Sequence, residues 1–394
     1  MAIVVQKFGG SSVADVLRIR KVADRVAATK ATGKDVVVVV SAMGKTTDEL
    51  LSLAHQVCES PARRELDMLL TAGERISMAL LSMALNARHV PAVSLTGSQS
   101  GILTDDAHTN ARIIEVRPYR VHDELATGKV VIVAGYQGVS SKKDVTTLGR
   151  GGSDTTAVAL AAALEAEACE IYSDVDGVYT GDPRVIPEAR RLSEISYEEM
   201  QELAESGARV LNAQAVEFAK ERGIAIHARA TFKDTGETIV RKLAPGAASR
   251  VAGIASQKDL VLVELPADRF PSLLEDLDAR RAGGKELVLR TAGRTGYASL
   301  VLSLENLHDY AAIRESLRAR HGDALHLREG LGAVSAVGTG INASHENVRR
   351  ALAAAASAGA VPIGVTTSSF RISLLLEDKG VEDVVRALHA ALIG

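Results

Sequence analysis

Short runs of valine and isoleucine alternate with longer amphipathic segments along the first half of the chain. The apolar runs predict β-strands at residues 3–7, 35–40, 91–95 and 129–134. Helical patterns fill the intervals, for example at residues 12–28 and 63–87. Strands that are apolar on both faces need helices on both sides, which predicts an α/β domain with a largely parallel sheet. In such a domain, ligands gather at the carboxyl ends of the strands.

A glycine-rich loop, TLGRGGSD at residues 147–154, precedes a segment that is apolar on every side at residues 157–164. This pattern predicts a buried helix that begins near Asp154, with Ser153 as its N-cap. The amino end of a helix favours anions, and Arg150 adds a guanidinium that can bind a carboxylate or phosphate through two hydrogen bonds. A glycine turn by itself is more often only structural, so its function depends on the neighbouring motifs.

After this helix, a strand at residues 169–172 leads into SDVDGVYTGDPR at residues 173–184. This loop combines three acids and two glycines with a tyrosine and an arginine. Its place at the carboxyl end of a strand predicts the nucleotide side of a site.

Lys7 ends the first predicted strand and is followed by Gly9 and Gly10, before a helix that Ser11 or Ser12 can cap. A lysine at a strand end is usually only solvated. Beside two glycine loops, it indicates a second anion-binding helix start. The later GKTT at residues 44–47 is not a P-loop, because Val39 stands where that motif needs glycine.

Three motifs together, KFGGSS from Lys7, VSAMGKTTDEL from Val40 and the stretch from Thr147 to Arg184, resemble the aspartokinase branch of the amino-acid kinase family. The resemblance follows the family's order through about the first 245 residues. It implies the amino-acid kinase fold, with a largely parallel sheet between helix layers.

The resemblance also implies roles for individual residues. Lys7, with the amides of Gly9 and Gly10, would stabilise the transferring phosphoryl group, and Asp154 would orient Lys7. The amino-acid substrate would be bound by Ser41, Thr47, Glu74 and Arg150. The nucleotide side would be lined by Ser173, Asp174, Tyr179, Arg184 and Arg209.

Structural alternatives remain open for several of these side chains. Ser41 could simply form a strand-end turn, and Thr47 could cap the following helix. Glu74 could form a surface ion pair with Arg75 or Arg64, although an acid amid apolar residues must be paired or face a cleft.

The chain departs from the family pattern at two places. Arg209 stands where lysine is usual, which preserves a cation. Asn212 and Ala213 replace a usual His-Pro pair, which puts an ordinary nucleotide pocket in doubt.

The composition changes after Lys242, where LAPGAASR reads as a linker. The remaining pattern predicts four helices and eight strands, at residues 251–256, 260–265, 285–290, 297–304, 324–328, 333–338, 361–365 and 370–376. These elements make two βαββαβ units that match the paired ACT regulatory domains of aspartokinases. We therefore expect a catalytic domain at residues 1–245 and a regulatory region at 246–394. One unit, at about 259–330, is inserted into another formed by about 250–257 and 331–394.

The regulatory half lacks two features that feedback-inhibited relatives commonly show, a glycine in the first loop and an Asn-Ile-Asp-like strand start. Lys285, Arg290 and Arg294 would repel the ammonium of an effector unless Glu286 offsets them. We therefore expect lysine or threonine to inhibit weakly or not at all, and the ACT-like half mainly to build a homodimer or higher homo-oligomer.

Composition narrows the class of protein. The 394 residues are 46% hydrophobic and 24% charged with a net charge of −3, and aromatics make up only 3%. This balance argues against a nucleic-acid surface. No uninterrupted apolar run approaches the roughly 18 residues that span a bilayer, so no membrane partner is expected.

Two cysteines, Cys58 and Cys169, are too few for a zinc site and fit a reducing compartment as small buried residues. With no basic region before its first strand, the chain is expected to be cytoplasmic.

The resemblance implies ATP-dependent phosphorylation of the β-carboxylate of L-aspartate, with Mg²⁺ held mainly by phosphate oxygens and water and no dedicated metal site. Two alternatives remain at this stage. One is a kinase for another carboxylate, such as glutamate or N-acetylglutamate, and the other is a catalytically silent amino-acid sensor. Retention of both Lys7 and Asp154 argues against the sensor.

Overall fold

A computed structural model describes residues 2–149, 151–233, 235–243, 250–280, 282–292, 295–307 and 310–394. The chain divides into two compact units. The first comprises Met1–Val178, Arg191–Ala204 and Arg209–Pro245, and the second comprises Tyr179–Arg190, Glu205–Ala208 and Gly246–Gly394.

The first unit is built on parallel strands. In chain order its strands are β1 (Ile3–Phe8), β2 (Asp35–Val40), β3 (Ala92–Leu95), β4 (Ile102–Thr104), β5 (Ile113–Val116), β6 (Val130–Ala134), β7 (Gln137–Ser140), β8 (Val145–Thr147), β9 (Ala168–Ser173), β10 (Glu194–Ile195), β11 (Ile226–Ala230) and β12 (Glu237–Val240). Among the described residues, eight of them form one sheet in the order β10-β12-β11-β9-β1-β2-β6-β3. Only the β11–β12 pair in this sheet is antiparallel. A smaller sheet has the order β5-β4-β7-β8.

The helices of the first unit are α1 (Val16–Ala31), α2 (Thr46–Val57), α3 (Arg63–Leu70), α4 (Ala72–Asn86), α5 (Tyr119–Ala126), α6 (Gly152–Ala163), α7 (Tyr197–Glu205) and α8 (Ala213–Arg222). Helices α1 and α4 pack on one face of the large sheet, against alternate side chains such as Val36, Val38 and Val40. Helix α6 packs against β1, β2 and β9. The side chain of Val39 points to the other face, towards α6. Gly135 lies between the two, since a methyl group there would lie 3.0 Å from the Val39 side chain and 2.8 Å from Oγ of Ser153 in α6. The α/β fold expected from the alternating pattern is therefore confirmed, with helices on both faces.

The segment Arg63–Asn86, which comprises α3 and α4, differs from expectation in two ways. A single helix was expected, but α3 and α4 are separated at Thr71. The segment is also long and apolar enough to cross a membrane by length and composition alone, with a mean hydropathy of 1.3. Half of its most apolar stretch is buried, and it carries the buried polar residues Asp67, Glu74 and Ser77. We interpret it as a pair of core helices, since these polar groups bond to other parts of the first unit.

The second unit has one antiparallel sheet in the order β14-β15-β13-β16-β18-β17. Its strands are β13 (Gly253–Pro266), β14 (Gly284–Ala292), β15 (Thr295–Ser303), β16 (His326–Val337), β17 (Gly364–Thr367) and β18 (Arg371–Glu377). Its helices are α9 (Phe270–Ala279), α10 (Tyr310–His321), α11 (Glu346–Ser357) and α12 (Val381–Leu392). The four helices were predicted correctly.

The expectation of eight strands in this unit was wrong, because two predicted pairs merge into the long strands β13 and β16. In β13 the register shifts near Asp259, whose φ is 57°, so the chain bulges but stays in the sheet. The part of β13 before the bulge pairs with β16 alone, and the part after it pairs with both β15 and β16. One strand therefore serves both βαββαβ units.

Candidate active site

The carboxyl ends of four central strands meet at one edge of the large sheet. Phe8 at the end of β1 is in register with Val40 of β2 and Tyr172 of β9, and Val40 is in register with Ala134 of β6. The residues that follow are Gly9, Ser41, Gly135 and Ser173. Since carboxyl strand ends are where α/β sheets bind ligands, this edge is the candidate site.

Lys7 and Asp154 form an ion pair at this edge. The Nζ atom of Lys7 lies 2.6 Å from Oδ1 of Asp154, and the two side chains are 12% and 11% exposed. The contact is electrostatic, because Oδ1 accepts no well-directed hydrogen bond from the described residues. The carboxylate of α6 thus holds a cation at the mouth of the first glycine loop.

The loop after β1 allows very close packing around Lys7. A methyl group on Gly9 would lie 3.5 Å from the Nζ atom of Lys7, and one on Gly10 would lie 3.0 Å from the carbonyl oxygen of Ala42. The Gly44 amide also donates to the Gly10 carbonyl oxygen at 3.1 Å. The loops that follow β1 and β2 are therefore locked together beside the cation, and only glycine fits at position 10 without displacing the neighbouring backbone.

Glu74, in the first turn of α4, points its buried carboxylate at the loop after β2. It is 3% exposed, and its Oε1 accepts the Ala42 amide at 3.0 Å. No described residue donates to Oε2. Burial raises the pKa of Glu74 to about 7 because no cation in the described residues offsets the loss of solvation. Gly73 permits this approach, since a methyl group there would lie 2.7 Å from the Ala42 side chain.

The alternative of a surface ion pair for Glu74 is wrong. Glu74 is buried, and Arg64 instead pairs with Glu65 at 2.7 Å and Asp144 at 3.3 Å. The unpartnered Oε2 makes Glu74 a ready acceptor for a ligand cation.

The second glycine loop begins α6 differently from the sequence expectation. Gly149 and Gly151 have φ of 75° and 73°, values that favour glycine. The helix begins at Gly152 with Gly151 as its N-cap, so the assignment of Ser153 as the cap was wrong. The turn uses Gly151 rather than a hydroxyl because only a residue free of a Cβ reaches this left-handed conformation without strain. Arg150 lies outside the described residues.

Asn212 joins the start of α8 to this glycine loop. Its Oδ1 accepts the amides of Gln214 at 2.9 Å and Ala215 at 3.2 Å, so it caps α8. Its Nδ2 lies against Gly151, where any side chain would collide with it. Although Asn212 and Ala213 replace the usual His-Pro pair, α8 is therefore still capped and its start still lies against the second glycine loop. Arg209, three residues earlier, is exposed.

Ser41 and Thr47 lie on the loop and helix that follow β2. The Ser41 amide donates to the Phe8 carbonyl oxygen at 3.1 Å, and both side chains are partly buried. The alternative role of Thr47 as an N-cap was wrong, because α2 begins one residue earlier with Lys45 as its cap.

The residues expected on the nucleotide side are divided between the two units. Ser173 is partly buried at the end of β9, and Asp174 is exposed. Tyr179 and Arg184 belong to the second unit, where Arg184 pairs with Asp182 at 2.7 Å. The structure thus gathers Lys7, Gly9, Gly10, Ser41, Glu74 and Asp154 in the first unit and leaves Tyr179 and Arg184 outside it.

Sequence reasoning missed a fully buried acid, Asp67 on α3. Its carboxylate accepts hydrogen bonds from Thr147, Thr109 and His108. Its position in the apolar segment ELDMLL was the available signal, because a buried acid needs partners.

Comparison with known proteins agrees with this geometry. Residues 2–229 match the model of the amino acid kinase family. An aspartokinase of Mycolicibacterium smegmatis is 45% identical, over 99% of this chain and 96% of that protein. One of Geobacillus stearothermophilus is 43% identical, over 99% and 97%.

Two solved structures also resemble this chain. Escherichia coli aspartokinase III in complex with aspartate and ADP has a TM-score of 0.85 at 24% identity, with all of both chains covered. The aspartate kinase from Synechocystis has a TM-score of 0.56 at 36% identity, over all of this chain and 70% of that one. Since the family match covers more than half of the chain and the relatives align along nearly all of it, this chain belongs to the aspartokinases of the amino acid kinase family.

Proposed function

We propose that this chain is an aspartate kinase. It transfers the γ-phosphoryl group of ATP to the β-carboxylate of L-aspartate and gives 4-phospho-L-aspartate, the first step of aspartate-family amino-acid biosynthesis. The observation that carries this proposal is the Lys7–Asp154 ion pair at the same strand edge as the carboxylate of Glu74, whose Oε2 has no hydrogen-bond partner among the described residues. Relatives named aspartokinase at up to 45% identity support the choice of substrate.

The reaction needs little covalent work from the protein, because the substrate carboxylate is already a nucleophile. One of its oxygens bonds to the γ-phosphorus as the bond to the ADP oxygen breaks. Catalysis then depends on alignment and on stabilising charge on the transferring group. Lys7 supplies a positive charge beside Gly9 and Gly10, and Asp154 holds that charge in place.

Substrate binding is assigned to a second set of groups. The α-ammonium of aspartate supplies the cation that Glu74 Oε2 lacks, and Arg150 clamps the α-carboxylate. Ser41 and Thr47 offer hydroxyls to its polar groups. An ammonium beside Glu74 also favours the ionised carboxylate, so it lowers the pKa that burial raises.

The nucleotide is assigned to Ser173, Asp174 and Arg209 of the first unit, with the phosphates at Gly9 and Gly10. In the part of the chain that the structure describes, no three histidine, cysteine or acidic side chains lie close enough to form a metal site. Magnesium is proposed to enter as the ATP complex, held mainly by phosphate oxygens and water.

A substrate panel tests this function. Purified protein is incubated with ATP, Mg²⁺ and aspartate, glutamate or N-acetylglutamate, and hydroxylamine traps any acyl phosphate. The expected product is the hydroxamate of aspartate. Hydroxamate formed mainly from another acid would identify that acid as the substrate. This outcome is a real alternative, since a difference of one methylene between two substrates changes binding by only about 1 to 3 kcal/mol. No product from any acid, in folded protein, would favour the sensor.

A homodimer or higher homo-oligomer through the ACT-like units is part of the proposal. Strand β14 lies at an edge of the six-stranded sheet and exposes Leu287 and Leu289 to 54% and 53%. Apolar residues on an unpaired edge favour association with another sheet. Leu289→Asp should shift the mass measured by light scattering towards the monomer, and an unchanged mass would place the interface elsewhere.

A cytoplasmic location is also proposed. Cys58 and Cys169 are both free, as in reducing compartments. The expectation that both are buried was wrong for Cys58, which is exposed on a helix end. Burial raises the pKa of the Cys169 thiol, which makes it inert.

A further inference from the structure

The buried carboxylate of Asp67 connects three segments of the first unit. It is completely buried on α3. Its Oδ1 accepts the Thr147 hydroxyl at 2.6 Å and the Thr109 amide at 3.0 Å. Its Oδ2 lies 2.7 Å from Nδ1 of His108, and because a carboxylate accepts, this contact assigns the ring proton to Nδ1. Donors therefore surround a charge that is withdrawn from water.

Each of these segments leads to a part of the candidate active site. Helix α3 continues through Thr71 into α4, which carries Glu74. Thr147 ends β8 and stands two residues before Gly149, at the start of the second glycine loop. The segment with Thr109 continues to Asn110, and a methyl group on Gly149 would lie 2.7 Å from Asn110 Oδ1.

We propose that Asp67 is a positioning residue for the amino-acid substrate: it fixes the second glycine loop relative to the helix that carries Glu74. This inference rests on the proposed function, because it assigns the two segments to opposite ends of one substrate. Asp67 itself touches neither the substrate nor the nucleotide. Its effect reaches the reaction through the position of the second glycine loop relative to Glu74, where small displacements are costly.

The chain offers a matched pair of variants for the test. Thr146 and Thr147 are adjacent, fully buried residues of β8 whose hydroxyls face different partners. Thr147 donates to Asp67, whereas the Thr146 hydroxyl lies 2.6 Å from that of Thr104. Replacing either threonine with valine preserves shape and strand propensity and removes one buried hydrogen bond. A purely structural role therefore predicts equal effects from both substitutions.

The expected result is a split between substrates. Thr147→Val should raise the KM for aspartate, or lower kcat/KM for aspartate, about tenfold, because one bond to a charged acceptor is lost. Its KM for ATP should stay within about twofold of wild type. Thr146→Val should lower the melting temperature similarly and leave both KM values near wild type. Thr147→Ser, which retains the hydroxyl, should restore use of aspartate.

Equal kinetic effects of the two valine variants, or an equal loss of ATP affinity in Thr147→Val, would overturn the inference. If Thr147→Val does not fold, Asn110→Ala replaces it. Asn110 is exposed, and its loss should affect the KM for aspartate alone. Wild-type protein in the hydroxylamine panel separates the two proposals. Failure with aspartate would refute the proposed substrate, and the same variants would then be compared on the acid that the wild type does use.

Discussion

The Nζ atom of Lys7 lies 2.6 Å from Oδ1 of Asp154, so the end of the first strand is tied to the first turn of α6. The two residues are far apart in the chain and both are largely shielded from solvent. A cation that another charge holds in position is preorganised, so it does not have to reorient when charge develops on the phosphoryl group.

Lys7→Ala should lower kcat at least about a hundredfold, by analogy with the loss of one group aimed at a developing negative charge. The comparison is with Lys30→Ala, which removes the partner of Asp35 in another partly buried pair at 3.0 Å. Both variants should remain folded by circular dichroism, but only Lys7→Ala should lose turnover. Near-wild-type turnover in folded Lys7→Ala would contradict the proposed role of Lys7 in stabilising the transferring phosphoryl group.

Glu74→Gln should stabilise the protein at high pH. The pKa of Glu74 is about 7 in the folded protein and 4.5 in the reference state, so the folded protein favours the neutral acid. The stability contributed by this group is complete below about pH 4.5 and is lost as the pH rises through 7. At pH 8 the neutral glutamine should therefore raise the free energy of unfolding by up to about 3 kcal/mol.

Denaturant titrations at pH 5 and pH 8 measure this effect. The stabilisation should shrink greatly at pH 5. Glu59→Gln, at an exposed site, should show little change at either pH. Equal stability of wild type and Glu74→Gln at pH 8 would show that burial does not destabilise the ionised carboxylate.

The same residue should control use of aspartate. Glu74→Gln removes the carboxylate assigned to the α-ammonium, so kcat/KM for aspartate should fall far more than the affinity for ATP. Arg150→Ala should have the same selectivity. In wild-type protein, kcat/KM for aspartate should decline as the pH falls below about 7, where Glu74 of the free enzyme becomes protonated. An equal loss of nucleotide affinity in either variant would place that residue on the ATP side.

Two substitutions of Asn212 should separate its cap from its contact with the glycine loop. Asn212→Ala removes the cap of α8 and should cost about 1 kcal/mol of stability. Asn212→Asp keeps a capping oxygen but puts a negative charge beside Gly151, in the loop assigned to the α-carboxylate of aspartate. It should therefore keep its stability and lose turnover on the order of tenfold, by charge repulsion at an effective dielectric of about 20. Thermal unfolding and initial rates measure the two effects, and a stable, fully active Asn212→Asp would show that a charge beside Gly151 does not affect the reaction.

Lysine and threonine, alone or together, should inhibit weakly or not at all. Glu286 was the one acid that could offset the cations of β14, but it is buried 3.9 Å from Arg371. Lys285 donates instead to Gln257, and burial lowers the pKa of its ammonium. Arg294 lies outside the described residues. An effector must bind one state more tightly to act, and no free acid of β14 is placed to accept its ammonium. Initial rates at up to millimolar effector measure this, and strong inhibition by either amino acid would contradict it.

Local chemistry made much of the fold predictable. Residues 35–40 form a strand with the expected bounds because five consecutive valines suit only a strand covered on both faces. The merging of strands in β13 was not predictable, because Gln257, Lys258 and Asp259 have the composition of a turn. Only pairing with β16 keeps that segment in the sheet.

The sequence by itself determined the α/β fold, the order of the motifs and the residue types that the chemistry needs, since these depend on periodicity and on glycine at defined places. Only the tertiary structure decided that Glu74 has a carboxylate oxygen to which no described residue donates, that Gly151 caps α6, and that Asp67 joins three segments distant in sequence. The physical reason is that desolvation and hydrogen-bond satisfaction depend on which groups meet in space. A one-dimensional pattern shows that a buried acid needs donors, and folding selects which donors it meets.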